Sequence, residues 1–130
     1  MKILLVDYDA AVLRYLEKLL RKEGCEVATV LATDETCATT IREMTLSQEF
    51  DAAFIALLMP GLNSVELSGK IKMVSPHTQI ILMTTPFSPA ARAELLAHGV
   101  ATEFFIEPPM LQELREALGT RLCGTERLAH

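Results

Sequence analysis

Residues 51–61 read DAAFIALLMPG, and the eight residues from Ala52 to Met59 carry no charge before Pro60-Gly61 stops the run. A helix that crosses a bilayer needs about 20 apolar residues. A run this short fits a strand buried on both faces, the kind found in parallel sheets. Pro-Gly marks the turn that ends it. Open parallel sheets hold their chemistry just beyond the carboxyl ends of the strands. The residue near that end is Ala56, and a methyl group offers no chemistry.

The chain has 130 residues, enough for one domain with a sizeable core. Half of it is hydrophobic, with mean hydropathy +0.27, which suits an apolar sheet covered by helices on both faces. Twelve basic against 17 acidic residues give a net charge of −5, and no block of like charges marks a nucleic-acid patch. The first apolar run, Ile3 to Val6, is too short for a signal sequence, so a cytoplasmic protein is expected. Cys25, Cys37 and Cys123 have no CxxC spacing and read as free thiols.

Taken in order, Ile3 to Val6 is a strand ending at Asp7-Tyr8-Asp9. Residues 10–23 follow a helical period, with Val12, Leu13, Leu16, Leu19 and Leu20 on one face. Asp9 is placed to cap that helix and Gly24 to end it. Residues 25–31 form a second strand. Thr33 or Asp34 caps a second helix to about Met44, through threonines that are poor helix formers. Residues 45–51 read as a loop, and Ala52 to Ala56 as the third strand.

A helix with Val65, Leu67, Ile71 and Val74 follows, and Gly69 is a soft spot inside it. Residues 79–83 are the fourth strand, ending at Thr84-Thr85. Pro89 opens a helix that closes at Gly99. Residues 103–106 are the fifth strand, broken by Pro108-Pro109, and Pro109 suits the first turn of a last helix carrying Leu111, Leu114, Leu118 and Leu122. The tail 123–130 reads as frayed. Five strand–helix alternations predict an α/β fold of the flavodoxin-like class, a five-stranded parallel sheet in the order 2-1-3-4-5, with two helices on one side and three on the other.

Four motifs in register resemble the receiver domain of two-component response regulators. That family reads ILVVDDD, DLVLLDIMMPGMDG, PIIMLTA and a KP pair at its first, third, fourth and fifth strands. This sequence has ILLVDYD, DAAFIALLMPGLNS, QIILMTT and IEPP in the same order, and the resemblance covers residues 1–122. In the family two acidic residues hold Mg²⁺, the third-strand Asp takes a phosphoryl group, and a Lys and a Thr bind its oxygens.

Carried over residue by residue, Asp7 matches the first acidic position and Tyr8 the second, where a phenol is a poor Mg²⁺ ligand. Asp9 compensates only if the backbone rotates. Ala56 matches the phosphoacceptor. Thr84 matches the switch hydroxyl and Phe104 the switch aromatic. Glu107 matches the Lys with its sign reversed, and the resemblance implies a cis peptide between Glu107 and Pro108. Asn63-Ser64 replaces the usual Asp-Gly.

The resemblance therefore implies a pseudo-receiver that needs no phosphorylation and no cofactor, is not an enzyme, and acts through a protein partner or self-association. The family's contact face is its fourth helix, fifth strand and fifth helix, which here carry Phe87, Phe105 and Met110. Three further readings stand beside this one. Asp7, Asp9 and Glu107 form a rebuilt acidic pocket for a proton or cation, or Asp7, Tyr8, Thr84 and Glu107 bind a cationic or polar small molecule, whereas the plainer reading of Asp7 and Asp9 is a helix cap and a solvated carboxylate. Glu107 stands in for a phosphoryl charge, or turns to solvent. The chain is the regulatory part of a longer transcriptional regulator.

Overall fold

The computed structural model describes residues 1–33, 36–59, 62–84, 93, 97, 103–106 and 109–119. Strands β1 (Lys2–Asp7), β2 (Glu26–Leu31), β3 (Ala52–Ala56), β6 (Gln79–Thr84) and β7 (Glu103–Ile106) form one sheet in the order β2-β1-β3-β6-β7. All four pairings are parallel, with Val6 beside Ile55, Ala56 beside Met83 and Thr84 beside Ile106. This is the five-stranded order expected from the alternation of strands and helices.

Side chains alternate across the sheet because successive residues of a strand point to opposite faces. Ile3, Leu5, Phe54, Ile81 and Met83 pack with Leu13, Leu16 and Leu20 of helix α1 (Ala10–Lys22) and with Leu114 and Leu118 of α4 (Leu111–Leu118). Leu4, Val6, Ala53, Ile55, Ile80 and Leu82 pack on the other face with Cys37 and Ile41 of α2 (Cys37–Ser47) and Leu67 and Ile71 of α3 (Ser64–Val74). Burying each large side chain fully stabilises the fold by about 1.5–3 kcal/mol. Apart from residues 93 and 97, the helix expected over 89–99 lies outside the described residues, as do the tail 123–130 and Cys123.

Helix α1 starts and stops where its sequence says. Asp9 accepts a 2.9 Å bond from Ala11 N, and Gly24 sits past the end at φ +88°, a conformation costly for any residue with a Cβ. Arg115 on α4 reaches back to Glu23 with Nε 2.7 Å from Oε1 and a second nitrogen 3.3 Å from Oε2. This fork ties the two helices of one face together.

Helix α2 corrects the sequence reading. It begins at Cys37, after Thr36, which has helical dihedrals and makes no side-chain cap. It also continues through Ser47, over residues that read as loop. Thr45 and Ser47 stay helical by returning their hydroxyls to the carbonyls of Arg42 and Met44. Pro109 is a second correction. It lies before the Met110 cap rather than in the first turn, and Glu113 Oε1 accepts from Met110 N at 3.0 Å. An unforeseen two-residue hairpin, β4 (Leu58–Met59) with β5 (Leu62–Asn63), carries the chain from β3 to α3.

Gly69 lies inside α3, and a Cβ built there meets nothing within 4 Å. Gly69→Ala should therefore raise unfolding free energy by about 0.5–1 kcal/mol, since only backbone entropy changes. Urea denaturation of the two proteins side by side measures it, and a lower midpoint would show that the site is not open.

Candidate functional site

The carboxyl ends of β1, β3 and β6 lie side by side, so the sheet brings Asp7, Ala56 and Thr84 to one edge. Asp7 is fully buried. Its Oδ1 accepts from Asp9 N at 2.9 Å, while Oδ2 is sealed from water with no hydrogen-bond partner among the described residues. The expectation of a solvated carboxylate is thus wrong for Asp7. The strand runs one residue further than its apolar run, and the side chain follows it under the sheet edge. Tyr8 is 47% exposed and Asp9 is taken up by the α1 cap, so neither turns toward the Asp7 carboxylate as a second buried ligand.

Ala56 is 1% exposed and joins the core that contains Met59 and Leu67. Its carbonyl is held by Ser64, whose buried Oγ lies 2.6 Å from Ala56 O and 2.8 Å from Leu57 O. One O–H is shared between two carbonyls at the end of β3. Leu57 N donates to Met83 O at 2.7 Å, which fixes the same turn against β6. Asn63 caps α3 by accepting from Glu66 N at 3.0 Å, and Ser68 Oγ donates to Ser64 O at 2.7 Å. The sequence reading noted Asn63-Ser64 only as a departure from Asp-Gly. Asn63 is a recognisable cap residue, but no local signal ties the Ser64 hydroxyl to the Ala56 carbonyl.

Glu107, Pro108 and Phe87 lie outside the described residues, as do the side chains of Thr84, Phe104 and Phe105. Met110 is 67% exposed beside the last helix. The described carboxylates at this edge are the buried Asp7 and the helix-capping Asp9, and no cluster of three His, Cys, Asp or Glu occurs among the described residues. Burial pushes the Cys25 thiol up from its ordinary value, against a smaller opposing pull from the amino terminus.

Two substitutions test this geometry. Ser64→Ala leaves the Ala56 and Leu57 carbonyls short of a donor, the first of them buried, and should cost about 1–3 kcal/mol by denaturant melting; an unchanged midpoint would mean that water replaces the hydroxyl. Asp7→Asn keeps the acceptor for Asp9 N and removes a buried charge, so it should stabilise the fold by about 1 kcal/mol or more. Destabilisation by Asp7→Asn would reveal a counter-charge on Oδ2.

Among the described residues no helix is long and apolar enough to cross a membrane. Residues 3–119 match the model of the response regulator receiver domain. The chain is 25% identical over 121 residues to the alginate biosynthesis transcriptional regulatory protein AlgB of Pseudomonas aeruginosa, covering 93% of this chain and 26% of that protein. It is 38% identical over 90 residues to stress response regulator protein 1 of Debaryomyces hansenii, covering 66% and 35%. The chain thus spans about a quarter of the length of the AlgB regulator it matches. A response regulator receiver domain protein from Clostridium thermocellum superposes with TM-score 0.75 at 25% identity, covering 99% and 98%. The CheY-like receiver protein from Methanospirillum hungatei shares the fold at TM-score 0.78 and 23% identity, covering 97% and 96%. With its sheet order, its strand-end motifs and a family match over nearly its whole length, the chain belongs to the response regulator receiver domain family.

Proposed function

We propose that this receiver domain regulates a signalling pathway without being phosphorylated at the usual place, through contact with a partner protein or a second copy of itself. The observation that carries the proposal is Ala56, whose buried methyl ends β3 where the family keeps its phosphoacceptor. Tyr8 and Glu107 extend the same logic. A site with no acceptor has no use for a second metal-binding carboxylate or for a cation to hold phosphoryl oxygens. The Ser64 clamp supports this reading too, because it fills the turn below Ala56 with a permanent hydrogen bond. The free, buried thiols Cys25 and Cys37 suit a reducing compartment such as the cytoplasm.

The contact face in this proposal runs from Thr84 through Phe104 and Phe105 to the last helix, with Met110 as its exposed apolar side chain. The match to AlgB, named as a transcriptional regulatory protein, supports a role as the regulatory part of a longer regulator of that kind.

Acetyl phosphate with Mg²⁺, followed by intact-protein mass spectrometry, tests the central point. The protein should keep its mass, while the triple variant Tyr8→Asp, Ala56→Asp, Glu107→Lys should gain one phosphoryl group. Ala56→Asp alone should gain little, because its carboxylate lacks the second acid and the Lys. A phosphoryl group on the unaltered chain would overturn the reading and point to another acceptor.

A further inference from the structure

We propose that the groove between α2 and α3 is a separate docking surface, shaped for an amphipathic helix of a partner protein that carries acidic side chains. A cavity of about 430 Å³ opens between the two helices. Its floor is Ile41, Leu67 and Ile71, all buried in the core beneath. The space exists because α2 presents short side chains there. Ala38 has only a methyl, and Thr45 folds its hydroxyl back to Arg42 O at 2.9 Å, so the wall facing the groove is small and apolar.

Three observations identify the occupant. The first is charge. Arg42 and Lys70 stand on opposite helices at the rim, and the Arg42 guanidinium has no ion pair among the described residues. Lys70 lies 3.0 Å from Glu66, an exposed pair of the kind worth only a few tenths of a kcal/mol, so its ammonium is easily shared. An acidic side chain placed between them would meet two cations on a chain whose net charge is −5.

The second observation is apolar exposure. Met73 is 84% exposed, and Val74 beside it and Leu46 across from it are also exposed. They extend the apolar surface beyond the cavity, as expected for a macromolecular contact rather than an enclosed small-molecule site.

The third is length. A second opening of about 410 Å³, lined by Leu46, Glu49 and His77, shares Thr45 and Val74 with the first. The two openings adjoin at Thr45 and Val74, beside α2 and α3. Helices of 11 residues run about 16 Å, or roughly three turns. A helix of that length presents apolar side chains at i, i+4 and i+7 to such a trough. Glu49 lies at the far opening, so the preference for acid belongs to the end held by Arg42 and Lys70.

This surface lies apart from the last helix and its Met110, and its test is independent of the phosphotransfer test. The probe is a displayed library of helical peptides of about 16 residues, or four turns, selected on the purified chain. Enriched peptides should carry apolar residues at helical spacing with at least one flanking Asp or Glu. In ¹H–¹⁵N spectra they should shift residues 38–45 and 67–74. Arg42→Glu and Met73→Ser should each weaken binding about tenfold or more, and raised salt should weaken it further, while Met110→Ser should leave it unchanged. Four outcomes would overturn the proposal: no enrichment, enriched peptides without acidic residues, shifts confined to other faces, or a dimer in sedimentation that Met73→Ser dissolves. The last would assign the groove to a second copy.

Discussion

Everything in this domain hangs on β3 being covered on both faces. Each side chain from Ala52 to Ala56 is buried, and the strand's backbone bonds to β1 on one side and β6 on the other. A strand in that position tolerates no charge along its length, since an unpaired buried carboxylate costs several kcal/mol. Polar chemistry is pushed to the carboxyl edge, where Asp7 and Thr84 end their strands. Even there the core reaches the last residue of β3. Ala56 is packed with Met59 and Leu67, and Ser64 closes the turn beneath it. Asp7 Oδ2 already lacks a partner among the described residues.

The two faces of the sheet are held differently. On one, α1 and α4 are joined by the Arg115–Glu23 fork and share a core of Leu13, Leu16, Leu20, Leu114 and Leu118. On the other, α2 and α3 meet across small residues and leave a trough between them. Helix α2 is weak by composition, with Thr39, Thr40 and Thr45 in 11 residues, and is stabilised mainly by burying Cys37 and Ile41. A helix held by only a few buried anchors can present its remaining surface to something else.

The sheet was legible in the sequence because its signal is strong and local. Unbroken apolar runs bounded by Gly, Pro and acids name a buried parallel strand, and Asp9 and Gly24 mark α1 by capping chemistry alone. What escaped notice depends on contacts across the chain. The start of α2 has no capping side chain to announce it. Its end looks like loop because Thr45 and Ser47 hide their hydroxyls on the helix's own carbonyls. Asp7 reads as exposed by residue type, and only the sheet register buries it. Ser64 is eight residues from Ala56, and nothing in its neighbours says that its hydroxyl will return to that carbonyl. Ala56 at the end of β3 was plain in the sequence, whereas the Ser64 clamp on its carbonyl needed coordinates.

Helix α3 is the element common to the edge and the trough. Its first residue, Ser64, holds the carbonyl of Ala56, and Ser68 one turn later bonds back to Ser64. Leu67 and Ile71 then form the trough floor, and Met73 and Val74 end the helix at the rim. In a receiver driven by phosphorylation, added charge at the edge must bias a two-state element. Here the start of α3 is pinned by buried hydrogen bonds that need no ligand. A partner seated on such a helix meets one arrangement, and a ligand shifts an equilibrium only by its differential affinity for two states. Under the proposed function, a partner seated on this helix is bound rather than switched, and regulation lies in whether that partner is present.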